Sequence, residues 1–360
     1  MKRVLWLSLL VFFCTACPAF SNVALLLEEP YGDFGFLNPT GHAAIYLSNV
    51  CADSPTHLRR CAPGENGVVI SRYRQIAGYD WLAIPLIPYL YAVDTPSEIP
   101  ATVDRKTEAA LRDAWRRKHL EGLIPDRVDG QAPSGNWTEL VGALYDRKMY
   151  AYEISTTAAQ DDGFIVQYNR NGNRSRFNLF FNNCADFSRR VLDFYYPRSV
   201  HRSFSADLGM TTPKQIAKSL VHYSARHERM NLEEFTLAQV PGSIPRSKHV
   251  DGVLEAMLRK KYVAPLVLLH PYVAAGLAVS YFTGGRFNPA KNSVTLEPAK
   301  TAPSLRLDEP LVPARPPRLA LDVTAVDWVA PESAGSTADA IVRAPAVSFD
   351  LDGTAAQAAR

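Results

Sequence analysis

The string FNLFFNNCADFSRRVLDFYYP, running from Phe177 to Pro197, constrains the chain more than any other. It sets one cysteine where an extended segment gives way to a helix. Phe177, Leu179 and Phe181 alternate with polar neighbours as in a strand, whereas Phe187, Val191 and then Phe194 or Tyr195 recur at helical spacing until Pro197 stops the run. Cys184 therefore falls at a helix N-terminus. Unpaired backbone N–H groups and the positive end of the macrodipole favour a thiolate there and can receive a developing oxyanion. A free cysteine is also among the most buried residue types and commonly serves as a small hydrophobe, so a catalytic reading needs a base from elsewhere in the chain.

Residues 1–21 read as a secretory signal: Lys2 and Arg3, the apolar run VLWLSLLVFF, then small residues around a cut expected before Asn22. Cys17 offers a lipoprotein alternative, although Cys14, Thr15 and Ala16 fit a lipobox poorly. Removal of the signal takes Cys14 and Cys17 with it and leaves Cys51, Cys61 and Cys184. Outside the cytoplasm an odd cysteine asks for an explanation. Cys51 and Cys61 flank the polar loop ADSPTHLRR and suit a local disulfide, which leaves Cys184 as the free thiol. The chain carries 39 basic and 36 acidic residues, a balance that argues against nucleic acid as a partner.

From Asn22 to about Asp94 the strings VALLL, GHAAIYLS and GVVISRY read as strands with Gly, Pro and Asn between them. Helices follow. Asp104 to Leu120 places Leu111, Trp115 and His119 or Leu120 on one face. Thr157 with Gln160 forms a capping box, and Thr212 with Gln215 forms another with Pro213 at the first helical position. The apolar run 263–282 is about long enough to span a bilayer but is interrupted by Pro265, His270 and Pro271, so a buried or interfacial helix competes with a transmembrane one. These patterns predict an α+β fold with an antiparallel sheet packed against helices: a catalytic domain over 22–202, a helical extension over 203–287, and an Ala/Pro-rich disordered tail over 288–360.

His42 opens the strand GHAAIYLS, where a rigid element anchors the ring while its edge faces the loops. In a Cys/His pair the imidazole takes the thiol proton and later returns it to the leaving group. A third group fixes the imidazole tautomer. Antiparallel pairing of GHAAIYLS with GVVISRY brings Ser71, and next Tyr73, toward His42; Asn66 and His57 are weaker choices. Asn182 and Asn183 precede the cysteine as helix caps, and one of their amides is a candidate oxyanion support. His42 and Cys184 lack clustered third and fourth ligands, so no metal or other cofactor is expected.

A histidine heading an N-terminal strand, a further strand with a polar residue, then a late Asn-Cys at a helix start resembles the circularly permuted NlpC-like papain-fold families. GHAAIYL and NNCADF are the strings that carry the likeness, over roughly Asn22 to Pro197. The resemblance implies Cys184 as nucleophile, His42 as base and a third polar position near Ser71, where those families more often hold His, Asn or an acid. It implies thiolate attack on a carbonyl and a thioester intermediate, in peptidoglycan amide cleavage, other amide or ester hydrolysis, or acyl transfer. With export, the expected partner is cell-envelope material, either a peptidoglycan peptide or an acyl lipid, with membrane contact through Trp81–Val93 and 263–282 set against ordinary core packing. A catalytically silent envelope-binding protein is the competing reading.

Overall fold

The computed structural model describes residues 20–32, 39–73, 76–174, 177–258 and 270–296. In chain order the strands are β1 (Phe20–Glu28), β2 (His42–Leu47), β3 (Val50–Ser54), β4 (His57–Arg60), β5 (Val68–Arg72), β6 (Trp81–Pro85), β7 (Met149–Thr157), β8 (Glu233–Leu237) and β9 (Val294–Leu296). The helices are α1 (Leu86–Tyr91), α2 (Arg105–His119), α3 (Ala143–Asp146), α4 (Ala158–Arg170), α5 (Cys184–Tyr195), α6 (Phe204–Asp207), α7 (Pro213–Ser224), α8 (Val253–Leu258) and α9 (Pro271–Ser280).

Seven strands form one sheet in the order β6-β5-β2-β1-β7-β8-β9. Neighbours run antiparallel except β8 and β9, which run parallel. The fold is α+β. The central strand β1 reads VALLL without alternation because both of its faces are covered. Ala24 and Leu26 join one core with Tyr46, Val69, Tyr89 and Trp115, while Val23, Leu25 and Leu27 join another with Phe187, Val191 and Leu192 of α5. The second core seats the cysteine helix on the sheet.

Several expectations change. No strand forms at Phe177–Phe181. The side chain of Asn178 accepts from the N–H groups of Phe180 (2.8 Å) and Phe181 (3.2 Å), which closes the chain into a tight turn bridged only between Asn178 and Asn182. The segment between Cys51 and Cys61 is the hairpin β3–β4, not an irregular loop, with the two sulfurs joined at 2.08 Å. Trp81–Val93 forms β6 and α1, and its apolar side chains are core.

In α2, Trp115 and Leu120 are buried as expected, but the buried face also carries Glu108, Arg112 and Arg116. Those guanidiniums are tolerated because their N–H groups are matched: Arg112 donates to Asp146 (2.7 Å) and the Val141 carbonyl (2.9 Å), and Arg116 to the Ile124 carbonyl (2.7 Å) and Asp113 (2.6 Å). Both capping boxes' helices start where expected, at α4 and α7.

Beyond residue 202 the chain is not only helical, since β8 and β9 extend the main sheet. β9 falls inside the stretch expected to be a disordered tail; residues 297–360 of that tail lie outside the described residues, as do residues 1–19 of the expected signal and 259–269 of the apolar run. No described helix is long and apolar enough to cross a membrane.

Candidate active site

Gly41 fixes where β2 begins. Its φ is +74°, and a Cβ there would come within 2.1 Å of the Glu28 carbonyl oxygen, so the position accepts glycine alone. The chain then enters the sheet with His42 opposite Glu28 of β1. On the other side, the register Ile45 to Ile70 carries β5 past β2 so that Ser71 Oγ lies 2.8 Å from His42 Nε2. The same hydroxyl donates to the Ala43 carbonyl at 2.8 Å. Its single proton is thereby used, so it accepts from Nε2–H and leaves His42 Nδ1 with a free lone pair. Tyr73 stacks on the imidazole, with ring centroids 5.2 Å apart and planes at 22°.

Cys184 is the first residue of α5. Asn183 caps that helix: its Oδ1 accepts from Asp186 N–H at 2.9 Å, and Asp186 reaches back to Asn183 N–H at 3.3 Å. Asp186 also accepts from Thr211 Oγ1 (2.6 Å) and Arg202 (2.7 Å), tying the segment after α5 to the helix start. Cys184, the free cysteine, and His42 line one cavity of about 700 Å³.

The electrostatics of the pair differ from the expected thiolate. Burial pushes the Cys184 thiol up to about 12; backbone hydrogen bonds from Ala43 and Ala185 pull the other way, and the charges of Glu28 and Glu139 add to the rise. Burial pulls His42 down to about 4, Arg147 adds to the fall, and Glu139 opposes it. Near neutral pH the pair therefore rests as thiol and neutral imidazole. The helix N-terminus stabilises a thiolate only partially when the sulfur is this far from water.

Of the residues singled out in the sequence, Cys184, His42 and Ser71 come together. Asn183 stays a cap, because its two amide hydrogens go to the carbonyls of Leu179 (2.9 Å) and Thr211 (3.1 Å), leaving none for an oxyanion. The Oδ1 of Asn182 accepts from Arg72 and from Arg190, the latter at 3.0 Å, which directs it to the guanidiniums behind the site. The first-turn N–H of Cys184, which has no intrahelical acceptor, is the donor left for an oxyanion, since the Ala185 N–H already donates to the Cys184 sulfur. His57 lies in the β3–β4 hairpin beside Asp53, and Asn66 uses its carbonyl to accept from Tyr46. The described His, Cys, Asp and Glu that cluster at metal-binding distances are Cys51, Cys61 and Glu65, and the disulfide removes both thiols.

Sequence reasoning missed three groups. Glu28 pairs with buried Arg147 at 2.8 Å and accepts from Tyr89, which also hydrogen-bonds Tyr73, the ring stacked on His42. Arg72 lines the cavity with its charge matched by Asp80. Glu139 lines the cavity from a separate loop. The adjacent acids Glu28 and Glu29 at the end of an apolar strand were the visible signal for the first; nothing in the local pattern marked Glu139. Comparison with family models, curated proteins and solved structures finds no match.

Proposed function

We propose that the chain is an exported thiol hydrolase that cleaves amide or ester bonds in cell-envelope material through an acyl group on Cys184. The observation that carries this reading is the relay from His42 Nε2 through Ser71 to the Ala43 carbonyl. It leaves the basic nitrogen free in a histidine that shares its cavity with the free thiol. His42 Nδ1 takes the Cys184 proton as the sulfur attacks the carbonyl carbon, and the first-turn Cys184 N–H receives the oxyanion. The imidazolium then gives its proton to the leaving amine or alcohol, a thioester remains, and water or another acceptor resolves it. The order of a histidine strand, a polar strand and a late cysteine helix supports a permuted NlpC-like relationship. A peptidoglycan peptide and an acyl lipid are both compatible substrates.

Export is supported by the disulfide. Phe20 and Ser21 pair with Thr157 and Thr156, and buried Ser21 donates to Asp161. A cut after Ala19 keeps this strand whole where one before Asn22 removes two of its residues.

A second reading, a silent binding protein of the envelope, draws on the neutral resting pair. Incubation with an envelope fraction, acid quenching and mass mapping of the Cys184 peptide separates the two. An acyl adduct is the expected result. Its absence in protein whose thiol still alkylates contradicts the hydrolase.

A further inference from the structure

The cavity that holds Cys184 and His42 is mostly apolar, yet one carboxylate in it has no hydrogen-bond or ion-pair partner among the described residues. Phe177, Leu179, Phe180, Met210, Val253 and Met257 supply most of its apolar lining, from the turn before α5 and from the segment after it. Arg72 also lines it, but its charge is matched by Asp80. Arg147, the nearby buried cation, feels the Glu139 charge but is paired with Glu28 at 2.8 Å and lies against the Tyr31 ring at 4.5 Å. His42 rests neutral. Glu139 is half-buried and makes no hydrogen bond or ion pair among the described residues.

Its placement is built. Glu139 sits in the 3₁₀ turn Asn136–Leu140, where side chains three apart eclipse one another. Asn136 and Glu139 both face the cavity, while Trp137 and Leu140 are buried and anchor the turn. Trp137 donates to the Pro133 carbonyl at 2.6 Å and lies beneath Arg116, 5.3 Å from its ring centre. The charge of Glu139 reaches both His42 and Cys184. A carboxylate beside apolar walls loses water when a ligand fills the space, and a cationic partner offsets that loss best.

We infer that this cavity selects an ammonium-bearing amphiphile, with the apolar part on the Phe177–Phe180 and Val253–Met257 walls and the ammonium group on Glu139. The inference rests on the proposed function only in treating this cavity as the substrate site. Binding is readable without turnover.

Titration calorimetry with n-octylammonium, n-octanol and octanoate on the disulfide-intact protein tests it. n-Octylammonium is expected to bind one to one, at least about fivefold tighter than n-octanol, with octanoate weakest. Glu139→Gln should bring the ammonium and the alcohol to the same affinity, Glu139→Asp should keep the order, and added salt should weaken only the ammonium in the parent protein. Should Glu139→Gln fail to fold, the salt series on the parent still decides. Equal binding of ammonium and alcohol in the parent, or an ammonium preference untouched by Glu139→Gln, overturns the inference. Neither result bears on whether Cys184 forms an acyl adduct, so the two proposals fail separately.

Discussion

Two of the cavity's walls are made differently. One is the end of the sheet, where Gly41, His42, Ser71 and Tyr73 are fixed by strand register, a 2.8 Å hydrogen bond on each side of the Ser71 hydroxyl, and a stacked ring. The other is the turn before α5, closed by Asn178 and carrying Leu179, Phe180 and Phe181 more than half exposed to solvent. The rigid wall presents His42, and the turn presents exposed apolar surface. Placement of reacting groups requires the first kind of wall, whereas adapting to the body of a ligand suits the second.

Breaking the rigid wall should have the largest effect. Gly41→Ala forces a side chain into the Glu28 carbonyl at a left-handed backbone position and should cost at least about 3 kcal/mol in urea unfolding; a loss below about 1 kcal/mol would show that β2 can start elsewhere. The next effect is on pH dependence. His42 has its pKa lowered from 6.5 to about 4 in the fold, so the folded state prefers the neutral ring. That contribution is complete above the unfolded pKa and is lost as pH falls from 6.5 toward 4, by roughly 2–3 kcal/mol. Unfolding free energies at pH 7 and pH 4 should diverge less in His42→Ala than in the parent by this amount; parallel curves would mean that the ring is solvated.

The turn should behave in the opposite way. Phe180→Ser with Phe181→Ser should change stability by less than about 0.5 kcal/mol while reducing acylation of Cys184 by long-chain esters more than by acetyl esters. Equal losses for both chain lengths would place the turn in the rigid wall instead.

The rigid wall was legible in the sequence because its logic is local. A turn ending in glycine starts the histidine strand, alternation sets the side of Ser71, and Asn183 before Cys184 reads as a helix cap. The tautomer needed only the register of two neighbouring strands. What could not be read was set by contacts distant in sequence. Leu179 and Phe181 have strand spacing, but Asn178 turns the chain before any edge is met. Glu139 and Met257 reach the cavity from a 3₁₀ turn and the short helix α8, elements too brief for periodicity to place them. Burial of Cys184 likewise depends on the sheet, the turn and the segment after α5 together, so the thiolate expected from the helix end alone gave way to a neutral thiol. The C-terminal stretch hid two strands because β8 and β9 are short, five and three residues, with β9 at the edge of the sheet.

The central claim is that His42 is the base for Cys184. Acylation by p-nitrophenyl butyrate tests it directly, with the release of p-nitrophenolate followed by absorbance and the butyryl group located by mass on the Cys184 peptide. One butyryl group per chain is expected in the parent and none in Cys184→Ala. Acylation should slow by about 10²–10⁴-fold in His42→Ala and by roughly fivefold to tenfold in Ser71→Ala, where only an orienting hydrogen bond is removed. His42→Ala acylating at the parent's rate, with the butyryl group still on Cys184, would contradict the claim.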